Sequence, residues 1–252
     1  MMTAGGANLR KSLTLVAVLA LAACDNSASD AATGTKTKAA APAAATATKD
    51  WTTVVAATPE GGFRMGNPNA PVKLLEFASL TCPHCKDFHE EAMATIKAKY
   101  IAPGKISYEY RSFVLNGPDF AAAMLARCQG PEVFFNLLNA FYANQSVWTE
   151  PFTKLTDADS KRLAALPQDQ QIGALAVTGG LDGFMRTRGM PRAKFDQCLS
   201  NKASFDQLTK IRTDAVEKYK LTGTPTFVIN GETQADTYNW ATLQPKLQAA
   251  VK

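Results

Sequence analysis

The sequence has few of the residues that metal and haem sites need. Only two of its 252 residues are histidine, and no second close pair of metal-ligating side chains accompanies Cys82 and Cys85. A closed structural zinc site usually takes four ligands from two separated pairs, so zinc binding by Cys82, Cys85 and His89 is disfavoured. Covalent haem attachment needs a histidine directly after the second cysteine, and residue 86 is lysine. We therefore predict no bound metal or cofactor.

Charge clusters and long apolar runs are also scarce. The 27 basic and 22 acidic residues give a formal net charge of +5 without a basic cluster, which gives little support to nucleic-acid binding. The apolar run at residues 13–23, "LTLVAVLALAA", has 11 residues, whereas a membrane-spanning helix needs about 20. Because the run follows Arg10 and Lys11, it is typical of a signal peptide.

The apolar run ends in "LAAC", residues 21–24, which resembles a bacterial lipobox. The resemblance implies that residues 1–23 are a lipoprotein signal peptide and that Cys24 becomes the lipidated first residue. Two or more acyl chains would then anchor the chain stably to a membrane. Asp25 resembles an inner-membrane retention signal. Ordinary signal cleavage beside Cys24, which would leave a free thiol, is the alternative.

Residues 24–50 consist mostly of Ala, Thr, Ser and Lys, with almost no large apolar side chain. Such a segment cannot bury enough surface to offset the entropy that it would lose on ordering, so we predict a flexible tether. An Ala-rich oligomerisation helix is the alternative, which Pro42, Gly34 and the many threonines disfavour.

The first part of the remaining chain predicts a βαβ unit. Residues 71–80, "PVKLLEFASL", form a nearly continuous apolar run that is typical of a buried strand, and residues 105–115 alternate apolar and polar side chains as a second strand does. Between them, Phe88, Ala92 and Ile96 recur at helical spacing. A strand, a helix and a second strand in this order predict a parallel strand pair.

The second part predicts helices and then a hairpin. Residues 118–219 show helical patterns interrupted by Gly and Pro, with no strand signal. Residues 224–234, "TPTFVINGETQ", are rich in β-formers around Asn230-Gly231, which indicates a hairpin, and residues 240–251 predict a last amphipathic helix. We therefore predict an α/β fold of the order βαβ, helical block, ββα, divided at residues 51–117, 118–219 and 220–252.

The motif Cys82-Pro83-His84-Cys85 follows the first strand and opens the helix. At a helix N-terminus the backbone amides and the macrodipole favour a thiolate, and thiols in Cys-X-X-Cys motifs reach pKa values of about 3.5–7.5. Pro83 suits the first helical position, and His84 adds a donor beside the sulfur. We predict that Cys82 attacks and Cys85 resolves. A purely structural disulfide is the alternative, although a loop of four residues removes little chain entropy.

Two segments, "GNPNAPVKLLEFASLTCPHC" at residues 66–85 and "TGTPTFVING" at residues 222–231, resemble DsbA-family thiol-disulfide oxidoreductases. This family has a thioredoxin fold with a helical insertion, and the resemblance covers roughly residue 61 to the C-terminus, which is most of the predicted mature chain. It implies that Pro225 is a cis-proline that packs against the cysteine pair and helps to bind client backbone. It also implies that Thr224 tunes redox behaviour and client release. The best-known DsbA oxidases carry valine there, which leaves the direction of electron transfer open.

The same resemblance implies two further roles. Glu76 matches a buried acid beneath the active site that exchanges protons with Cys85, and a partly exposed strand residue is the alternative. Cys128 and Cys198 lie where many family members carry cysteines, which implies a structural disulfide that closes about 70 residues. A second redox pair is the alternative there. We expect His89 to be a surface or flanking residue rather than a catalyst.

The sequence therefore predicts an exported, lipid-anchored dithiol-disulfide oxidoreductase in a compartment where disulfides persist, such as the periplasm. Its clients would be unfolded or partly folded exported proteins with free thiols. The resemblance implies that a quinone-linked membrane oxidase of the DsbB or VKOR type reoxidises the cysteine pair. A disulfide reductase or isomerase kept reduced by a membrane electron donor is one alternative, and a copper-handling thiol chaperone is another. Nothing in the sequence requires more than a monomer.

Overall fold

A mixed sheet forms the centre of the fold. The computed structural model describes residues 49–252, so the predicted signal peptide, Cys24 and nearly all of the predicted tether lie outside the described residues. The strands run in the spatial order β1-β2-β4-β3-β5-β6, with β3 and β4 parallel and the other neighbouring pairs antiparallel. Their bounds are β1 (Val55–Ala57), β2 (Phe63–Gly66), β3 (Val72–Ala78), β4 (Ile106–Ser112), β5 (Thr226–Ile229) and β6 (Glu232–Thr233).

Ten α-helices accompany this sheet within residues 49–252, and none of them is long and apolar enough to cross a membrane. Eight of them lie in sequence between β4 and β5. Their bounds are α1 (Pro83–Ile96), α2 (Gly117–Arg127), α3 (Pro131–Ala143), α4 (Gln145–Thr153), α5 (Asp157–Ala164), α6 (Gln168–Thr178), α7 (Leu181–Arg186), α8 (Arg192–Leu199), α9 (Lys202–Tyr219) and α10 (Trp240–Ala250).

The predicted βαβ unit is confirmed, and it supplies the middle of the sheet. Six of the seven residues of β3 are buried, as expected of a strand that lies between two neighbours and beneath helices. α1 follows β3 and packs against α3 and α10 through a face of buried side chains. A π-helical turn, Lys97–Ile101, continues α1 before the chain enters β4.

The predicted hairpin is also confirmed. Asn230 and Gly231 both have positive φ, 50° and 90°, as a two-residue turn of type I′ requires. The Asn230 Oδ1 atom accepts a hydrogen bond from the backbone amide of Lys73 at 2.8 Å, which ties the turn to the start of β3. The hairpin therefore places β5 antiparallel to β3, directly beside the strand that leads to Cys82.

The predicted strand order was incomplete, because β1 and β2 were not predicted. They have three and four residues, and their sequences VAA and FRMG show no alternation long enough to recognise. β2 exists because the edge of β4 pairs with it, and β1 then pairs with β2. Strands this short are set by the neighbouring backbone rather than by their own sequence.

The helical segment, residues 117–219 with α2 to α9, shares one core with the sheet. Phe134 on α3 stacks on Phe63 of β2 with ring centroids 3.8 Å apart, and Phe141 and Tyr142 of the same helix are fully buried. α2 begins where the Asn116 side chain accepts a hydrogen bond from the Asp119 amide. The Asp119 carboxylate in its first turn accepts the Leu80 amide from the loop that follows β3. The helical segment thus packs against the region that carries the cysteine motif.

Candidate active site

The two cysteines of the motif occupy different environments at the start of α1. Cys82 is the N-cap residue, with extended backbone angles of −80° and 120°, and Pro83 takes the first helical position. Both sulfurs are free thiols. Cys82 keeps 7% of its surface exposed, whereas Cys85, one turn further along, has none. Only Cys82 is therefore accessible to another protein.

The electrostatics of the pair are equally asymmetric. A hydrogen bond from the Cys85 thiol, with smaller contributions from the Thr224 side chain and the amides of Cys85 and His84, lowers the pKa of Cys82 to about 5 against the opposing effect of burial. Burial raises the pKa of Cys85 well above its ordinary value, and the hydrogen bond and negative charge of Cys82 raise it further. At neutral pH the pair therefore holds one thiolate and one thiol.

A second loop faces the Cys82 sulfur. The Thr224–Pro225 peptide bond is cis, the isomer that the family resemblance implies. The Cys82 Sγ atom lies 3.4 Å from the Thr224 carbonyl oxygen, although the two residues are separated by 142 positions. β5 starts directly after Pro225 and pairs with β3, so the sheet holds this loop against the cysteine motif.

His84 lines an open cavity beside this loop. The cavity has a volume of about 480 Å³ and lies next to the exposed side of the cysteine motif. Its lining residues are His84, Asp87, Phe88, Glu91, Thr224, Tyr238 and Asn239. A client segment that reaches Cys82 has this concave surface available to it.

A cluster of buried polar side chains lies beneath the pair. Glu76 on β3 is fully buried, which excludes the alternative of a partly exposed strand residue. Its Oε2 atom accepts a hydrogen bond from the Tyr108 hydroxyl at 2.5 Å and lies 3.2 Å from His89 Nε2, while Oε1 has no hydrogen-bond partner. The charge of Glu76 contributes to the raised pKa of Cys85, so the two groups influence each other.

The expectation that His89 is a surface or flanking residue was wrong. His89 is only 8% exposed, and its ring packs on Tyr142 of α3 with centroids 4.3 Å apart. Residues 85 and 89 lie four positions apart on α1, so both point toward the sheet and α3. The helical spacing of Cys85, His89, Ala92 and Ile96 could have indicated this burial from the sequence.

Asp119 is a further residue that sequence reasoning missed. It is buried on α2, where its two carboxylate oxygens accept the backbone amides of Leu80 and Leu115, each at 2.9 Å. Burial raises the pKa of Asp119 to about 6 despite these hydrogen bonds, and the charge of Cys82 adds to the rise. The contact with Leu80 is not signalled by a local pattern, because it joins residues 39 positions apart, whereas Leu115 lies only four residues before Asp119.

The distant cysteine pair forms a disulfide. Cys128, at the end of α2, is bonded to Cys198 on α8, with Cα atoms 5.6 Å apart and a sequence separation of 70. The bond joins two helices of the segment between β4 and β5 and is separate from the Cys82 motif. Within residues 49–252, no three His, Cys, Asp or Glu side chains are grouped so that they could hold a metal ion.

Comparisons with known proteins agree on the fold. A family model described as "Thioredoxin" matches residues 58–249. The protein named "Putative protein-disulfide oxidoreductase" in Rickettsia prowazekii is 31% identical over 193 residues, which are 75% of this chain and 61% of that protein. The chain spans between 52% and 61% of the length of the first four curated relatives that it matches.

The chain is also similar to several solved structures. The crystal structure of a protein described as a protein-disulfide isomerase from Novosphingobium aromaticivorans has a TM-score of 0.73 and 34% identity, and the match covers 79% of this chain and 100% of that one. The crystal structure of alpha-DsbA1 from Wolbachia pipientis has a TM-score of 0.58 and 24% identity, with 75% and 89% covered. The second similarity is one of fold alone.

Proposed function

Because the chain belongs to the thioredoxin family and has the DsbA form of its fold, we propose that it is an exported dithiol-disulfide oxidoreductase that introduces disulfides into client proteins. The difference between the two thiols carries this proposal. Cys82 is partly exposed and stabilised as an anion at the start of α1, whereas Cys85 is fully buried and neutral. Stabilising the thiolate stabilises the reduced pair, so the oxidised pair is a strong acceptor of electrons from client thiols.

In the proposed reaction, a client thiolate attacks the Cys82 sulfur of the Cys82–Cys85 disulfide. A client–Cys82 disulfide forms, the Cys82–Cys85 bond breaks, and Cys85 leaves as a thiolate that takes up one proton. A second client thiolate then attacks the client sulfur of the mixed disulfide and releases Cys82 as a thiolate. The client has lost two electrons to the cysteine pair, and a quinone-linked membrane oxidase of the DsbB or VKOR type accepts them in turn.

Supporting roles are assigned from the contacts around the pair. Glu76 exchanges the proton of Cys85, because it is a buried carboxyl whose Oε1 atom has no other partner and whose charge acts on that thiol. Thr224 and Pro225 bind the client backbone beside Cys82, since the Thr224 carbonyl lies within 3.4 Å of its sulfur. The backbone amide of His84 donates a hydrogen bond to the Cys82 thiolate.

The cellular setting remains a proposal that rests on the sequence. Lipidation at Cys24 would anchor the protein to a membrane, with the inner membrane favoured by Asp25, and residues 24–50 would tether the folded part. The domain boundaries at residues 51–117, 118–219 and 220–252 and a monomeric state are proposed on the same basis. Clients are exported proteins that still have free thiols.

A disulfide isomerase is the second candidate, and one observation favours it. The Novosphingobium aromaticivorans protein, which matches over its whole length, is described as a protein-disulfide isomerase. An isomerase would use the same residues, but it would be kept reduced by a membrane electron donor. Thr224 is the first residue to test in that case, because it contacts the Cys82 sulfur.

Two experiments test the proposal. Cys85→Ser removes the resolving thiol, so it should accumulate covalent complexes between Cys82 and client proteins, while Cys82→Ser is the matched control that should form none. Absence of such complexes would favour a copper-handling thiol chaperone over an oxidoreductase. The redox state in acid-quenched cells, read by mass-tagging of free thiols in a Cys128→Ala/Cys198→Ala background, should then show a mostly oxidised pair. A mostly reduced pair would overturn disulfide donation in favour of the isomerase.

A further inference from the structure

The loop before the attacking cysteine is held by side chains from the helical segment. Residues 79–82 join β3 to α1, and Cys82 is the last of them. Asp119 accepts the Leu80 amide, and the Tyr142 hydroxyl donates to the Ser79 carbonyl at 3.2 Å. These contacts come from α2 and α3. The helical segment therefore helps to hold the loop that joins β3 to α1 and carries Cys82.

Gln145, the first residue of α4, contacts the backbone of Cys82 itself. Its Nε2 atom donates to the Leu80 carbonyl at 2.8 Å and to the Cys82 carbonyl at 2.9 Å. The two donations use both hydrogens of the side-chain amide. Gln145 is 7% exposed and both bonds are buried, so water cannot replace them easily when they are lost.

The orientation of the Cys82 carbonyl decides where the next amides point. A peptide unit is planar, so fixing its oxygen fixes the whole plane that leads from Cys82 into Pro83. Pro83 has no N–H, and the first amides that reach the sulfur are those of His84 and Cys85. A rotation of the Cys82 carbonyl away from its present angle, ψ of 120°, would turn these amides away from the thiolate.

We propose that Gln145 is a positioning residue for Cys82, which acts through the Cys82 carbonyl to aim the His84 and Cys85 amides at the sulfur. The inference rests on the proposed redox role of Cys82, and it assigns part of the control of that role to the helical segment. No element of the βαβ unit supplies an equivalent side chain to this carbonyl, whose other hydrogen bond comes from the Lys86 amide at 3.2 Å.

The test replaces Gln145 in the full chain by leucine, which has a similar size and no donor. The titration of the Cys82 thiolate, followed by its ultraviolet absorbance, should shift toward the thiol by about tenfold, the effect of losing about one hydrogen bond to a charged group. The equilibrium with glutathione should shift by a similar factor toward the disulfide form. Where Gln145→Leu does not fold, the unbranched Gln145→Met serves the same purpose.

The matched control is Tyr142→Phe. It removes the neutral hydrogen bond that Tyr142 donates to the Ser79 carbonyl of the same loop, but it leaves the hydrogen bonds of the Cys82 carbonyl in place. It should leave the Cys82 titration unchanged. An unchanged titration in the folded Gln145 variant, or an equal shift in Tyr142→Phe, would overturn the inference. The thiolate titration needs no client, so this result is independent of the proposed function, which fails separately if the wild-type protein exchanges no disulfides.

Discussion

The stabilised Cys82 thiolate makes the reduced protein more stable at neutral than at acidic pH. The pKa of Cys82 falls from an ordinary 9.0 to about 5 in the folded state. Because the folded pKa lies below the unfolded one, this contribution to stability is complete above pH 9.0 and is lost as the pH falls through about 5. At pH 7 it favours folding by a factor of about 100, or about 2.7 kcal/mol, and near pH 5 only about 0.4 kcal/mol is left.

The measurement is urea unfolding of the reduced protein at several pH values, compared with Cys82→Ser, whose hydroxyl does not ionise in this range. Alkylation of free thiols confirms that the Cys128–Cys198 disulfide stays intact during the reduction. The difference in unfolding free energy between the two proteins should grow by about 2 kcal/mol from about pH 5 to pH 7. Titrating groups that Cys82 does not influence contribute equally to both proteins and cancel, and the effect of the Cys82 charge on Asp119 is part of the measured difference.

A difference that stays constant over this range would refute the reasoning. So would an ultraviolet titration of the thiolate with a midpoint near the ordinary value of 9.0 rather than near 5. The midpoint should disappear altogether in Cys82→Ser, which identifies the titrating group.

Three other predictions test the rest of the molecule. Cys128→Ala/Cys198→Ala should lower the unfolding free energy by about 4 kcal/mol in urea, because the disulfide closes a loop with a sequence separation of 70; a loss below about 1 kcal/mol would contradict this. Asp119→Asn should gain up to about 3 kcal/mol relative to the wild type as the pH rises from 3.8 through about 6, since the raised pKa makes the charged carboxylate costly. Equal pH profiles would show that Asp119 does not titrate there. His89→Phe and Glu76→Gln should each slow single-turnover reduction of the disulfide about tenfold without moving the Cys82 titration. If the two rate losses multiply in the double variant, His89 and Glu76 act independently, which would contradict a joint role.

The parts of the fold that local pattern determines were predictable from the sequence. The apolar run of β3, the helical spacing of α1 and the Asn230-Gly231 turn each depend on residues within one element, so their sequences indicate them directly. The position of Cys82 at a helix N-terminus is local in the same sense. The strands β1 and β2 were missed because short strands take their conformation from the strand with which they pair.

The site shows the same division. By itself, the sequence determined that two cysteines with unlike thiols open a helix after a buried strand, because the macrodipole and the amides act over a single turn. Only the tertiary structure decided that the Thr224 carbonyl lies beside Cys82 across 142 residues, that His89 is buried against Glu76, and that Gln145 holds the Cys82 carbonyl. These contacts join segments far apart in the chain, and they form only when the sheet and the helices pack into one core.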